Sequence, residues 1–481
     1  MNKILLSGIL LSSSLMAQEK PNIIYILADD LGYGDLKCLN ANSQIPTPNL
    51  DRLCAEGMHF TDAHSNSSVS TPTRYGILTG RYAFRSTLKR GVLGGYSRPL
   101  IEKERTTVAT ILQKSDYQTA IFGKWHLGLG WTKKSDVTTV NTKNPDLTNA
   151  ATTDFNAPLT DTPNDHGFDY SYIIPASLDM DPYLFIENRK VVNPNLKTID
   201  GADGARGDFW RKGWCSEDFV IPNTLDVIAD KASNYIANYK SDKPYFVYIP
   251  LTAPHTPWLP AEKYKGKSGA GVYGDFVCHV DDVVGRILDV VEKTGKSQNT
   301  LIIFTSDNGS DWKPEDLKAF PKHQANYIFK GEKSDIWDGG HHVPFLVRWP
   351  NVVKKASVSK NIVCLTDFTA TCAEITGQKT AAGVAEDSFS MLSILKGKAS
   401  AKTTRKDLVH HGIFGMFSIR QGDWKFIDGK GSGGWSAATD SLPGQLYNIK
   451  KDPSEKVNLY NKYPEKVAKL KQRLEEIKGS K

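Results

Sequence analysis

Four short polar clusters, far apart in a chain of 481 residues, carry side chains that bind ions and move protons. Asp29-Asp30 and Asp307-Asn308 each offer two oxygen ligands. Carboxylates with an amide oxygen, and no His or Cys among them, suit a hard cation such as Ca²⁺ or Mg²⁺ rather than zinc. Either pair alone is accounted for by a turn or a helix cap; two such pairs raise the metal reading. Lys124 and His126 stand two residues apart and share one side of an extended segment. His255 lies in Ala-Pro-His-Thr-Pro, where two prolines fix the backbone around it, and Lys333 precedes Ile336-Trp-Asp-Gly-Gly340. Taken singly, each of these is a structural histidine or a solvated charge as readily as a reacting group.

A fifth cluster, SNSSVSTPTRYGILTGR from Ser65 to Arg81, crowds hydroxyls before a proline and an arginine. It reads first as a helix start, with Thr71 as the N-cap, Pro72 at the first helical position and Gly80 ending the helix. The same geometry favours an anion at the helix N-terminus, so a capping reading and a binding reading describe one loop.

Elements must bring these clusters together. Short apolar, β-rich runs precede them: 22–27 before Asp29-Asp30, 119–122 before Lys124 and His126, 245–249 before His255, and 300–305 before Asp307-Asn308. Near-continuous apolar strands separated by helical patterns, as at 107–115 and 275–294, predict a mainly parallel sheet covered on both faces. Ligands of such sheets bind just beyond the carboxyl ends of the strands. All four clusters fall there.

Residues 130–220 are polar and rich in Asn, Thr, Asp and Gly, and close on the aromatic stretch 208–214; an insertion of this kind shapes access to a site. After 397 the pattern changes to alternating runs at 417–420, 424–427 and 445–448 and an amphipathic helix at 464–478. The expected division is a signal peptide at 1–17, a catalytic domain at 18–397 and a C-terminal subdomain at 398–481. Lys3, an apolar run over 4–16 and the small Ala17 give the leader, whose apolar run is too short to span a bilayer. The chain is therefore expected in the periplasm or outside the cell, without a membrane span. Six cysteines allow three disulfides, but their sparse spacing fits buried thiols equally, and no CxxC points to zinc. A net charge of +7 is mild, and no basic run interleaved with aromatics indicates nucleic acid.

Ser70-Thr71-Pro72-Thr73-Arg74 followed by Thr79-Gly80-Arg81 resembles the signature of the formylglycine-dependent sulfatases of the alkaline phosphatase superfamily. Blocks at 22–35, 47–51, 123–128, 253–255, 306–309 and 333–350 are similar to that family's blocks, in its order, over residues 20–450. The resemblance is to serine-type members among secreted bacterial carbohydrate sulfatases and arylsulfatases. It implies an α/β, alkaline-phosphatase-like fold, with a mainly parallel sheet flanked by helices and a smaller C-terminal subdomain of antiparallel sheet plus helix. It implies that Ser70 is oxidised to formylglycine, whose hydrate supplies the attacking hydroxyl. Asp29, Asp30, Asp307 and Asn308 would hold one Ca²⁺, with residue 70 as a further ligand. Arg74 and Lys124 would orient the hydrate and the sulfate, and His126 would help the hydrate collapse. His255 would protonate the leaving sugar oxygen, Lys333 would neutralise sulfate charge, and Asp307 would be the base for the attacking hydroxyl. That set answers what a sulfate ester needs: a nucleophile, neutralisation of its oxygens and a proton for the leaving group.

Two residues depart from the commoner pattern. Ser70 replaces Cys, which makes the chain depend on a maturation enzyme that accepts serine; Thr73 replaces Ser or Ala, an expected tolerated change. The competing enzyme reading is a phosphatase or phosphodiesterase with unmodified Ser70, but such sites use two metals and extra His ligands, whereas Asn308 stands here and the chain has only 11 His. A glycan-binding pseudo-enzyme is disfavoured because every expected catalytic residue is present. The segment 174–183 resembles one in secreted bacterial carbohydrate sulfatases, which suggests 6-O-sulfated galactose or N-acetylgalactosamine in a glycan substrate. Asp179 is the candidate for binding a sugar hydroxyl, with His166 and Trp210 as further candidates; a turn carboxylate is the alternative for Asp179.

Overall fold

The computed structural model describes residues 19–135, 150–400 and 405–480; the expected leader lies outside them. Ten strands form the main sheet, and its five central strands run parallel in the order Thr300–Ser306, Asn22–Asp29, Tyr245–Pro254, Gln118–Lys124, Tyr170–Ile174. Antiparallel strands flank that block, Phe345–Arg348 on one side and Ile186–Glu187 on the other. The four expected apolar runs are the core of this sheet, each slightly longer than its apolar stretch.

Alternate residues of one strand enter opposite layers. Ile23, Tyr25 and Leu27 pack against Ser70–Thr79, Val108–Gln113 and Asp367–Ile375, whereas Ile24 and Ile26 pack against Thr224–Ala237 and Gly271–Lys293. Burial on both faces is why these strands read as unbroken apolar runs. At about 1.5–3 kcal/mol for each buried aliphatic or aromatic side chain, these two layers dominate the stabilisation. Register then sets the site: Ala28 pairs with Ser306 and Asp29 lies opposite Pro254, so Asp29-Asp30, Asp307-Asn308 and His255 leave adjacent strands at the same end.

The helix carrying Ser70 starts earlier than its sequence suggests. It spans Ser70–Thr79 with Val69 at the cap, and the expected cap Thr71 lies inside it, because the Thr71 hydroxyl accepts a hydrogen bond from Leu93 N. Pro72 is tolerated in the first turn, where backbone N–H groups have no intrahelical partner. Gly80 ends the helix as expected, at φ +65°.

A separate four-stranded antiparallel sheet, Asp407–His411, Phe417–Gln421, Trp424–Ile427 and Gln445–Asn448, carries the closing helix Pro464–Gly479. Its first strand, DLVHH, was not legible because two histidines and an aspartate hide the apolar pattern. All six cysteines are free thiols, and no described helix is long and apolar enough to cross a membrane.

Candidate active site

Ser70 is the first residue of a buried helix, and its hydroxyl donates to Asp29 Oδ1 at 3.2 Å while Lys124 Nζ stands 3.3 Å away. Lys124, fully buried at the end of its strand, also donates to Asp29 Oδ2 at 2.7 Å and to Ser177 Oγ at 3.0 Å. Arg74, one turn along the Ser70 helix, donates from Nε and Nη2 to Asp307 Oδ2 and from Nη1 to the Lys124 carbonyl. Thus Ser70, Asp29, Asp307, Arg74 and Lys124 form one buried network.

Asp30 continues it. Asp30 N donates to Asp307 Oδ1, Asn308 Nδ2 donates to Asp30 Oδ1 at 2.7 Å, and Lys333 Nζ donates to Asp30 Oδ2 at 2.7 Å. His255 Nε2 lies 3.7 Å from Asp30 Oδ2, and its ring meets the Ser177 hydroxyl at 3.3 Å. Asp30 and His126 both hold left-handed backbone, at φ +65° and +58°. Asp and His tolerate that conformation better than most side chains, and such backbone concentrates at functional sites.

Three buried carboxylates would not stay charged unless paired. Burial alone would raise the Asp29 carboxyl, but the Lys124 ammonium, with His255 and Arg74, holds it below the usual carboxylate range. Burial likewise pulls Lys124 down, with Asp29 opposing it. Asp30 and Asp29 raise the Lys333 ammonium against its burial. Burial, then Lys124 and Arg74, drives His126 far below its ordinary value. Its Nε2 meets Leu93 O at 2.7 Å, which leaves Nδ1 as a buried, unpaired acceptor.

The donor set fits a hard cation. Asp29, Asp30, Asp307 and Asn308 lie in one buried network of oxygen-bearing side chains, and the buried Asn308 Oδ1 has no hydrogen-bond partner. One difference from expectation concerns the base: both Asp307 oxygens are engaged by Arg74 and Asp30 N, and the carboxylate touching Ser70 Oγ is that of Asp29.

Above this centre opens a pocket of about 600 Å³ that reaches Asp30, Ser70, His126, Asp179, His255 and Lys333. Asp179 is ion-paired with Arg211, and its Oδ1 is buried without a partner. His166 is not brought here: it pairs with Asp161 at 2.8 Å and stacks on Trp125. Trp210 is not a lining residue either, because strand alternation turns it towards Asp200 O while its neighbours Phe209 and Arg211 face the pocket. Ser177, Arg206, Asp311, Lys313 and Trp435 also line it and carried no sequence signal, although Ser177 and Phe209 lie in stretches whose character stood out.

Comparison with known proteins agrees with this geometry. The Sulfatase family profile matches residues 21–378, and a profile described as N-sulphoglucosamine sulphohydrolase, C-terminal, matches 329–480. The chain is 32% identical to an N-acetylgalactosamine-6-O-sulfatase of Bacteroides thetaiotaomicron, over 96% of this chain and 93% of that one. It is 29% identical to human arylsulfatase A, over 93% and 85% of the two chains. A solved sulfatase structure from work on glycosaminoglycan metabolism by Bacteroides thetaiotaomicron superposes with a TM-score of 0.83 at 32% identity, covering 96% of this chain and all of that one. Sulfatases of this family use a formylglycine residue and a metal ion. With the matched profile spanning most of its length and a relative 32% identical over nearly all of it, the chain belongs to the sulfatase family and is a sulfuric ester hydrolase.

Proposed function

We propose that this sulfatase removes sulfate from 6-O-sulfated galactose or N-acetylgalactosamine in glycans, with a nucleophile made from Ser70. The observation that carries the reading is the place of Ser70 Oγ, within 3.3 Å of both the Asp29 carboxylate and the Lys124 ammonium at the floor of the pocket. Support for the sugar comes from the bacterial relative named for N-acetylgalactosamine 6-O-sulfate and from the unpaired Asp179 Oδ1, an acceptor for a sugar hydroxyl. Ser70 would be matured by an enzyme that accepts serine, after or during export directed by residues 1–17. The catalytic domain would end near residue 397.

Asp29, Asp30, Asp307 and Asn308 would hold Ca²⁺, which would polarise a bound sulfate oxygen. Oxidised to formylglycine, residue 70 would offer the hydroxyl of an aldehyde hydrate as the nucleophile. Asp29, the carboxylate in contact with Ser70, takes the place expected for Asp307 as acceptor of that hydroxyl's proton. Lys124, Arg74 and Lys333 offset the charge on the sulfate oxygens at the floor of the pocket. His255, at the pocket wall beside Asp30, protonates the leaving sugar oxygen. His126 accepts a proton at Nδ1 from the second hydroxyl of residue 70, which releases sulfate and restores the aldehyde.

The test is product release. Matured protein is expected to free sulfate from 6-O-sulfated N-acetylgalactosamine, to lose that activity on chelation and to regain it with Ca²⁺. Phosphate release by protein with unmodified Ser70 would favour a phosphatase and contradict the reading.

A further inference from the structure

One wall of the pocket is apolar and none of the roles above uses it. Trp435 and Ile413, both from the C-terminal sheet's connections, line the pocket together with the apolar Val92, Met180 and Phe209. Trp435 lies between the strands Trp424–Ile427 and Gln445–Asn448 and is 44% exposed. Apolar surface of that size inside a concave pocket is left in water unless a ligand covers it.

The backbone that carries the ring is tied to the segment beside the reacting centre. Trp435 N donates to Ser334 Oγ at 3.0 Å, Ser436 N to Asp335 Oδ1 at 3.2 Å, and Ile336 N to Ser432 O at 2.7 Å. Gly434 makes this approach possible, since a Cβ there would stand 2.4 Å from the Ser334 carbonyl oxygen. The clamped segment includes Lys333, whose ammonium bonds Asp30. Lys313 Nζ and Lys333 Nζ stand over the indole at 5.4 and 5.8 Å from the ring centroid, near the outer limit of cation–π contact at about 6 Å.

We propose that Trp435 is a sugar-stacking subsite, on which the C–H face of a pyranose ring of the glycan lies while its sulfate ester reaches Ser70. The inference rests on the glycan reading given above. A pyranose presents an apolar face and a rim of hydroxyls, and an indole at a pocket wall matches that face while leaving the rim to polar neighbours. Lys313, beside the ring and partly exposed, supplies a donor to that rim. Selectivity for glycans over sulfate esters without a sugar follows, and the C-terminal subdomain thereby takes part in substrate choice.

Two variants, Trp435→Ala and Trp435→Phe, test it by calorimetric titration of protein with unmodified Ser70, which does not turn over, using the 6-O-sulfated N-acetylgalactosamine monosaccharide and a disaccharide containing it. Trp435→Ala is expected to weaken binding about tenfold, or about 1.4 kcal/mol, and Trp435→Phe less than about threefold. In matured protein the Ala variant is expected to raise KM by the same factor with kcat held, the mark of lost uniform binding. A ring that only supports the fold would instead lower the thermal midpoint and kcat together, which overturns the proposal. So does Trp435→Ala binding like the parent chain, or a parent chain that binds neither sugar. Tight binding by the parent with no sulfate released after maturation sinks the glycan sulfatase reading and leaves the subsite standing; release with an indifferent Trp435→Ala does the reverse.

Discussion

The reacting centre holds more buried charge than a protein interior tolerates unpaired, and the pairing explains its behaviour. Each carboxylate of the cluster has a cation in contact: Asp29 with Lys124, Asp30 with Lys333, Asp307 with Arg74. Glu332, next to Lys333, has no such partner; burial beside Asp311 and Asp335 raises it to about 8. A carboxyl raised on folding contributes stability in full below its unfolded value and loses it as pH climbs through the folded value. For Glu332 that window runs from about 4.5 to 8, and the contribution at stake is on the order of 5 kcal/mol. Glu332→Gln, which cannot ionise, is expected to gain thermal midpoint over the parent between pH 5 and 9; a gap that stays constant across that range contradicts the assignment. At this scale the sequence singled out the residues that the fold gathers around Ser70, because each ends an apolar strand or sits in a motif. Ser177, Arg211 and Trp435 were not legible, since single residues in long connections carry no period, and His166 and Trp210 attracted notice by type alone while the fold turns them elsewhere.

Elements place those residues by register and by helix ends. Parallel pairing of Asn22–Asp29 with Thr300–Ser306 and Tyr245–Pro254 aligns three polar clusters that lie more than 200 residues apart in part. The parallel sheet itself was legible, since strands buried on both faces announce themselves as apolar runs, whereas the order of its strands was not. The start of the Ser70 helix was not, because the Thr71 hydroxyl is drawn to Leu93 N by a contact no local pattern encodes. Its end is set by Gly80, where φ is +65° and an added Cβ would come within 2.8 Å of Ala385 Cβ. Gly377 shares the left-handed backbone at φ +70° with open space around it. Gly377→Ala is expected to cost about 1 kcal/mol of strain alone, and Gly80→Ala about 2–3 kcal/mol. Denaturant midpoints of the two variants check this; equal losses would show that the Ala385 contact yields freely.

Across the whole molecule, the C-terminal sheet is locked to the catalytic layer by buried charge. Lys425 Nζ stands 2.7 Å from Asp338 Oδ1, 2.9 Å from Glu455 Oε1 and 3.1 Å from His341 Nε2, all fully buried. His341 in turn meets His64, which meets Asp62. Removing one partner of such a pair leaves an uncompensated charge, so Lys425→Met is expected to destabilise by about 3–5 kcal/mol. Calorimetry reads it: a lower midpoint for the transition of the whole chain supports a shared buried lock, and an unchanged midpoint contradicts it. The alternating strands and closing helix of this sheet were legible, but its contribution of Ile413 and Trp435 to the pocket was not, since nothing in an isolated β meander shows which surface it will meet.

The central claim is that Ser70 becomes the nucleophile of a sulfatase. Peptide mass at Ser70, in protein from its native host or made with a serine-type maturation enzyme, tests it most directly. The account predicts loss of two hydrogens at that residue in protein that releases sulfate. Unmodified serine in protein that cleaves its ester equally well would contradict it.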